Sequence, residues 1–335
     1  MADQEQVSQK PSSDDLDKMS RGQWNKVRQM PNPDDLARMT LGQCKPLEEV
    51  FVKGLEGKVA IVTAGATGLG YNIVNRLAEA GAKVVIASHS DKHGQKAVED
   101  FKALGYEVSF CLTDVTKVAD CYGAVDFAVK TYGGIDILVT SAGVWDEIAF
   151  LDLDEAIYDH VLDLDLKGTY FIAQAAARWM VANKRPGRMV FVSSAAHAGE
   201  GLRGAVMNTY YQAAKGGVVS LTTGAAAELK QYGIHVNCVA PGGMFTYGAL
   251  YNGRENAKKY GDEYAAFKAQ RRKEDPMPVA FNPDQVALVC YALCTPMSDF
   301  MDGVTIDVNG GSLLNAQMRP FSYSVEGCIP GPSKE

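Results

Sequence analysis

From Gly54 onward the chain alternates between two hydrophobic patterns. Short β-branched runs read KVAIVTA, KVVIAS, EVSFCLTDV, IDILVTSAG, RMVFVSS, IHVNCVAPG and VTIDVNGG. Between them, apolar residues recur every three or four positions, which predicts helices over 69–79, 91–104, 118–132, 155–183, 211–232 and 283–294. Strand, helix, strand repeated in this order predicts an α/β fold whose parallel strands carry helices on both faces. Right-handed crossovers then make it a doubly wound sheet of seven strands. In such sheets ligands sit beyond the carboxyl ends of the strands.

Residues 1–53 break the pattern and are read as an N-terminal arm. They hold a short repeat, DDLDKMSRGQW at Asp14–Trp24 and DDLARMTLGQC at Asp34–Cys44, separated by Pro31 and Pro33. Each copy suits a capped, weakly amphipathic helix, and two copies are too few for a solenoid. An arm packed on the body or on a neighbouring subunit and a disordered tail both fit this segment. The expected division is an arm over 1–53, one α/β domain over 54–318 with a lid at about 244–281, and a tail over 319–335.

Bulk numbers narrow the class. The 335 residues are 47% hydrophobic and 22% charged, ordinary for a globular domain able to bury a large core. A net charge of −7 argues against a nucleic-acid partner. The longest apolar runs are strand-sized and the first residues are polar and acidic, so neither a membrane span nor a secretory leader is expected. Seven scattered cysteines without a C-x-x-C pattern suit reduced thiols in the cytoplasm and no metal site.

The chemistry concentrates at strand ends. After the first strand comes TAGATGLG, Thr63–Gly70. Gly65, Gly68 and Gly70 let the backbone approach a pyrophosphate, and Thr67 and Leu69 lie where the next helix begins and offers N–H donors. A purely structural turn would use the same run, but its place after the first strand of a parallel sheet favours a nucleotide. The second strand ends in Ser88, His89 and Ser90, where an NAD site usually places a carboxylate for the ribose. Without that carboxylate a 2′-phosphate is tolerated, so NADP(H) is preferred and NAD(H) kept open; Asp91 could instead cap the following helix.

The segment SSAAHAGEGLRGAVMNTYYQAAK, Ser193–Lys215, holds two serines, two adjacent tyrosines and a lysine. Tyr211 and Lys215 are spaced i, i+4 and share a helix face, whereas Tyr210 points away. An ammonium beside a phenol stabilises the phenolate, which suits a general acid near neutral pH.

Taken together these motifs resemble the classical short-chain dehydrogenase/reductase family over about Gly54–Leu314. The resemblance implies a Rossmann-type fold and places the family's catalytic serine, tyrosine and lysine on Ser194, Tyr211 and Lys215. Its cofactor motifs fall on Thr63–Gly70, on Asp114 and Val115, on Ser141, Ala142 and Gly143 of TSAG, and on Pro241, Gly242 and Thr246. By this resemblance Tyr211 gives or takes the proton, Lys215 lowers its pKa and holds the nicotinamide ribose, and Ser194 polarises a carbonyl. Ala64 stands at the family's first glycine, and Thr140-Ser141 replaces an asparagine pair. Asp165 stands where the family often has a catalytic asparagine whose backbone carbonyl holds a relay water. A carboxylate there could pair with Lys215, shift the pH range, or simply be tolerated.

The expected activity is hydride transfer between NAD(P)(H) and a small-molecule ketone or secondary alcohol. The lid's aromatics (Phe245, Tyr247, Tyr251, Tyr260, Tyr264 and Phe267, beside Met244) suggest a bulky cyclic or aromatic compound. Arg271–Lys273 are basic and His197 and Trp145 follow strand-end motifs. An enoyl reductase and a non-catalytic nucleotide-binding regulator are the alternatives. Small residues on the long helices, around Ala213–Gly217 and Ala225–Ala227, suit a homodimer or homotetramer.

Overall fold

The computed structural model describes residues 54–199, 208–244, 246 and 282–310. The arm, the tail, most of the lid and part of the loop after Ser194 therefore lie outside the described residues.

Seven parallel strands form one sheet in the order β3-β2-β1-β4-β5-β6-β7. They are β1 (Val59–Thr63), β2 (Lys83–Ser88), β3 (Val108–Leu112), β4 (Ile137–Thr140), β5 (Gly187–Val192), β6 (Ile234–Pro241) and β7 (Thr305–Val308). The central strands are β-branched because both of their faces are covered; all five residues of β1 and all four of β4 are buried. The helices α1 (Gly68–Glu79), α2 (Asp91–Ala103) and α7 (Pro283–Leu293) cover one face. The other face carries α3 (Val118–Tyr132), α5 (Gly168–Ala182) and α6 (Thr209–Leu229). The doubly wound sheet expected from the alternating pattern is thus the observed one.

Two local departures matter for the site. The predicted helix over 155–183 is divided: α4 (Glu155–Leu162) runs into a π-helical turn (Asp163–Lys167) before α5 begins. The cap of α2 is Ser90, whose hydroxyl accepts from the His93 amide at 3.4 Å, and Asp91 is the first helical residue. Strand order reverses between β1 and β4, so their carboxyl ends flank the crevice where ligands of such sheets lie.

Candidate functional site

The crevice is built from strand ends inward. At the end of β1 the Thr63 hydroxyl oxygen accepts from the amides of Ser141 (2.9 Å) and Ala142 (3.0 Å). These two bonds tie the end of β1 to the segment leaving β4. Sequence reasoning gave Thr63 no such role, since its partners lie 78 and 79 residues away.

The glycine turn depends on absent side chains. Ala64 sits at φ 50° and Gly68 at φ 58°, both left-handed. A Cβ on Gly70 would collide with the Ala64 carbonyl oxygen, and one on Gly65 would lie 2.9 Å from Val74 Cγ2. Thr246 stands over Gly68, 3.5 Å from where its Cβ would be. Thr67 leads into α1 without a side-chain cap, and no acidic residue lies in that first turn. The helix end thus presents backbone donors and a positive dipole to the crevice. Leu69 is buried beside it.

Along the crevice, Ser88 is buried at the end of β2, while His89 is exposed and Ser90 half-buried. Asp114 accepts from the hydroxyl and amide of Thr116 at 2.7 and 3.1 Å. Chiefly through the Thr116 hydroxyl, its carboxyl is held below the usual range. Val115 is buried against Gly168, where a Cβ would come within 2.9 Å of it. Pro241 ends β6, and the Gly242 amide donates to the Val308 carbonyl at 3.0 Å.

The two serines after β5 have separate partners. Ser193 is buried and donates to the Lys215 carbonyl at 2.8 Å. Ser194 is half-buried and accepts from the Ala196 amide at 3.2 Å, which leaves its hydroxyl proton to be donated. The short 3-10 turn that it caps (Ala195–Ala198) packs on α6. His197 on that turn faces Asp307 of β7 at 3.3 Å.

On α6, Lys215 Nζ lies 5.6 Å from the centroid of the Tyr211 ring. Tyr211 is half-buried, whereas Tyr210 is 2% exposed and donates to the Asp146 carbonyl at 2.8 Å. Lys215 is buried and donates to the Val192 carbonyl at 3.3 Å. Its Nζ also stands 3.3 Å from Asp165 Oδ2. Asp165 is fully buried in the π-helical turn; its Oδ1 accepts from the Val144 amide at 2.8 Å, and its backbone carbonyl accepts from the Thr169 hydroxyl at 2.9 Å. A Cβ on Gly143 would lie 3.1 Å from Lys215 Nζ, so a glycine here leaves the pair its space. Burial alone would push Lys215 down, but Asp165 and then Tyr211 outweigh it and hold the lysine above its ordinary value. Burial pushes the Asp165 carboxyl up, while the ammonium and the Val144 amide pull it back.

Ser194, Tyr211, Lys215 and Asp165 thus belong to elements that pack on one another around α6, at the carboxyl ends of the strands. Among the described residues no cluster of three or more metal-ligating side chains occurs, and no helix is long and apolar enough to cross a membrane. The lid aromatics and Arg271–Lys273 lie outside the described residues.

A family model described as short chain dehydrogenase matches residues 58–254. Galactitol 2-dehydrogenase of Agrobacterium fabrum is 32% identical over 78% of this chain and 99% of its own length. The (+)-borneol dehydrogenase 1 of Salvia officinalis is 33% identical over 77% and 95%. A crystal structure of an actinorhodin polyketide ketoreductase variant with NADPH superposes with a TM-score of 0.69 at 26% identity, covering 76% of this chain and 97% of that one.

Proposed function

The chain belongs to the short chain dehydrogenase family of oxidoreductases, and from that premise we propose that it is an NADP(H)-preferring carbonyl reductase or alcohol dehydrogenase. Its substrate is a bulky cyclic or aromatic ketone and the matching secondary alcohol. The observation that carries this reading is the placement of Lys215 5.6 Å from the Tyr211 ring, on the helix that packs against the Ser194 turn.

The roles follow from the geometry. Ser194, its oxygen already taken by the Ala196 amide, donates its proton as a hydrogen bond to the carbonyl oxygen. Tyr211 transfers its phenolic proton to that oxygen during reduction, and the phenolate left behind is stabilised by the Lys215 ammonium. In oxidation the phenolate takes the proton back. A bound nicotinamide supplies or accepts the hydride. Thr67, Gly68, Gly70, Ser141, Ala142, Gly143 and Thr246 would hold it, and the cradle suits such a ligand: side chains are missing where a backbone must come close. Ser88, His89 and Ser90 support NADP(H), since no carboxylate ends β2 to repel a 2′-phosphate.

A cyclic substrate is supported by the (+)-borneol dehydrogenase relative, named for a cyclic alcohol. Phe150 and Leu151, 75% and 92% exposed on the segment leaving β4, add apolar surface on that side of the sheet. We place the enzyme in the cytoplasm and as a homodimer or homotetramer, on its scattered cysteines without a C-x-x-C pattern and its small-residue helices. A panel of cyclic, aromatic and open-chain ketones, followed by NADPH and NADH absorbance, tests the reading. Turnover strongest with cyclic ketones and NADPH is expected. Tight nucleotide binding with no turnover on any ketone would replace it with a nucleotide-binding regulator.

A further inference from the structure

The carboxylate at Asp165 is one of the places where this chain departs from the pattern it resembles, and its surroundings give it a defined task. It is 0% exposed. Oδ1 is held by the Val144 amide at 2.8 Å, which ties the π-helical turn to the segment leaving β4. Oδ2 faces the Lys215 ammonium at 3.3 Å. The ammonium is therefore set between this carboxylate and the Val192 carbonyl, also at 3.3 Å. Gly143 leaves the space for the pair.

We infer that Asp165 is a positioning residue whose carboxylate fixes the Lys215 ammonium and offsets its charge at Tyr211, holding Tyr211 in its proton-bearing form. This rests on the reductase reading of the same site and deepens it: the site is biased toward donating a proton to a carbonyl rather than accepting one from an alcohol. A lone ammonium 5.6 Å from the ring draws the phenol strongly toward phenolate. An ammonium paired at 3.3 Å with a carboxylate presents a dipole instead, and its pull on the phenol is weaker. The charged or titratable groups bearing on this pair are His160 on α4, Tyr211 on α6 and Cys238 on β6. Burial holds the Cys238 thiol protonated, so it carries no charge into the balance near neutral pH.

The sign follows directly. Asp165→Asn keeps the shape and removes the offsetting charge; the Tyr211 phenolate, which itself favours a charged Lys215, then meets an unopposed ammonium and forms at lower pH. Asp165 Oδ2 is 3.3 Å from a nitrogen that itself lies 5.6 Å from the Tyr211 ring centroid, and a unit charge at a separation of that order, at an effective dielectric near 20, moves a titration by about one to two pH units. The measurement is the phenolate absorbance of the full chain without nucleotide, titrated against pH. Subtracting the same titration of Tyr211→Phe, in the wild-type and Asp165→Asn backgrounds, isolates Tyr211. Asp165→Ser, smaller and also neutral, is measured in the same way. A midpoint lower by about one to two pH units in either variant is the expected result. An unchanged or higher midpoint in both overturns the inference. Because the readout needs no substrate, it is separate from the ketone panel: a shifted midpoint with no ketone turned over would sink the reductase reading and leave the charge balance standing.

Discussion

Tyr210 and Tyr211 are neighbours in sequence with opposite circumstances. Tyr210 is sealed with Ile148, Val161 and Ala214 and spends its hydroxyl on the Asp146 carbonyl. Tyr211 is half-buried and faces Lys215. Tyr210→Phe should therefore cost about 1 kcal/mol of stability, the worth of one buried hydrogen bond, and leave kcat near the wild-type value. Tyr211→Phe should lower kcat by about 10²–10⁴ while nucleotide affinity stays put. Urea melts, steady-state kinetics and nucleotide fluorescence titrations check both, and the reverse pattern would exchange the two roles. Ala64 is a second residue whose circumstances decide the outcome. An alanine at φ 50° bears a left-handed penalty of about 1–2 kcal/mol that glycine avoids. Glycine returns about 0.4–1 kcal/mol of that through the freer unfolded chain. Ala64→Gly should then stabilise by about 0.5–1 kcal/mol, read as a higher urea midpoint at unchanged slope. A lower midpoint would mean that the methyl group has packing worth more than the strain.

At the scale of elements, the π-helical turn and the α1–α7 contact were the least visible in sequence. The apolar spacing of residues 155–183 reads as one helix because both flanking helices keep their periodicity. The wider turn over Asp163–Lys167 interrupts that register in the very element that carries the fully buried Asp165. No hydrophobic pattern announces it, because the residue it buries is an acid. The α1–α7 contact is similar. Arg76 of α1 is fully buried and grips Asp284 of α7 with two bonds of 2.7 and 2.6 Å, and its third arm meets Glu79 at 2.9 Å. This fastens the helix behind the glycine turn to the first turn of the helix that follows the lid. Removing Asp284 takes two of these three bonds from a buried guanidinium, so Asp284→Ala should cost about 3 kcal/mol in urea unfolding. The double change Arg76→Met with Asp284→Leu should recover most of that loss, since the two buried charges are gone and Glu79, at 19% side-chain exposure, keeps contact with water. Equal losses in the single and double variants would show that the pair matters for shape rather than charge.

For the whole molecule, the fold could be read from sequence because a parallel sheet covered on both faces writes its strands as apolar runs. The crevice could be placed because the order of strands and helices predicts where the strand order reverses, and the glycine turn and strand-end serines lie at the strand ends there. What could not be read are pairings between residues far apart in the chain: Thr63 with the amides 78 and 79 residues on, Val144 with Asp165, and Arg76 with Asp284. Local spacing carries no information about such partners; only the closed sheet brings them together. In the proposed reading nucleotide choice hangs on a few side chains, Ser88, His89 and Ser90, where β2 gives way to α2. A ligand that binds the folded chain raises its melting temperature in proportion to the logarithm of its affinity. If the 2′-phosphate is favoured about tenfold, NADPH should stabilise by about 1.4 kcal/mol more than NADH at equal saturating concentration. For a domain of this size that is a Tm difference of about 2–3 °C. Ser88→Asp, which restores a carboxylate facing the ribose, should reverse the order because it repels the phosphate and accepts from a free 2′-hydroxyl. A larger shift with NADH in the wild-type chain would instead mean that Asp91, at the start of α2, reaches back to the ribose and makes this an NAD(H) enzyme.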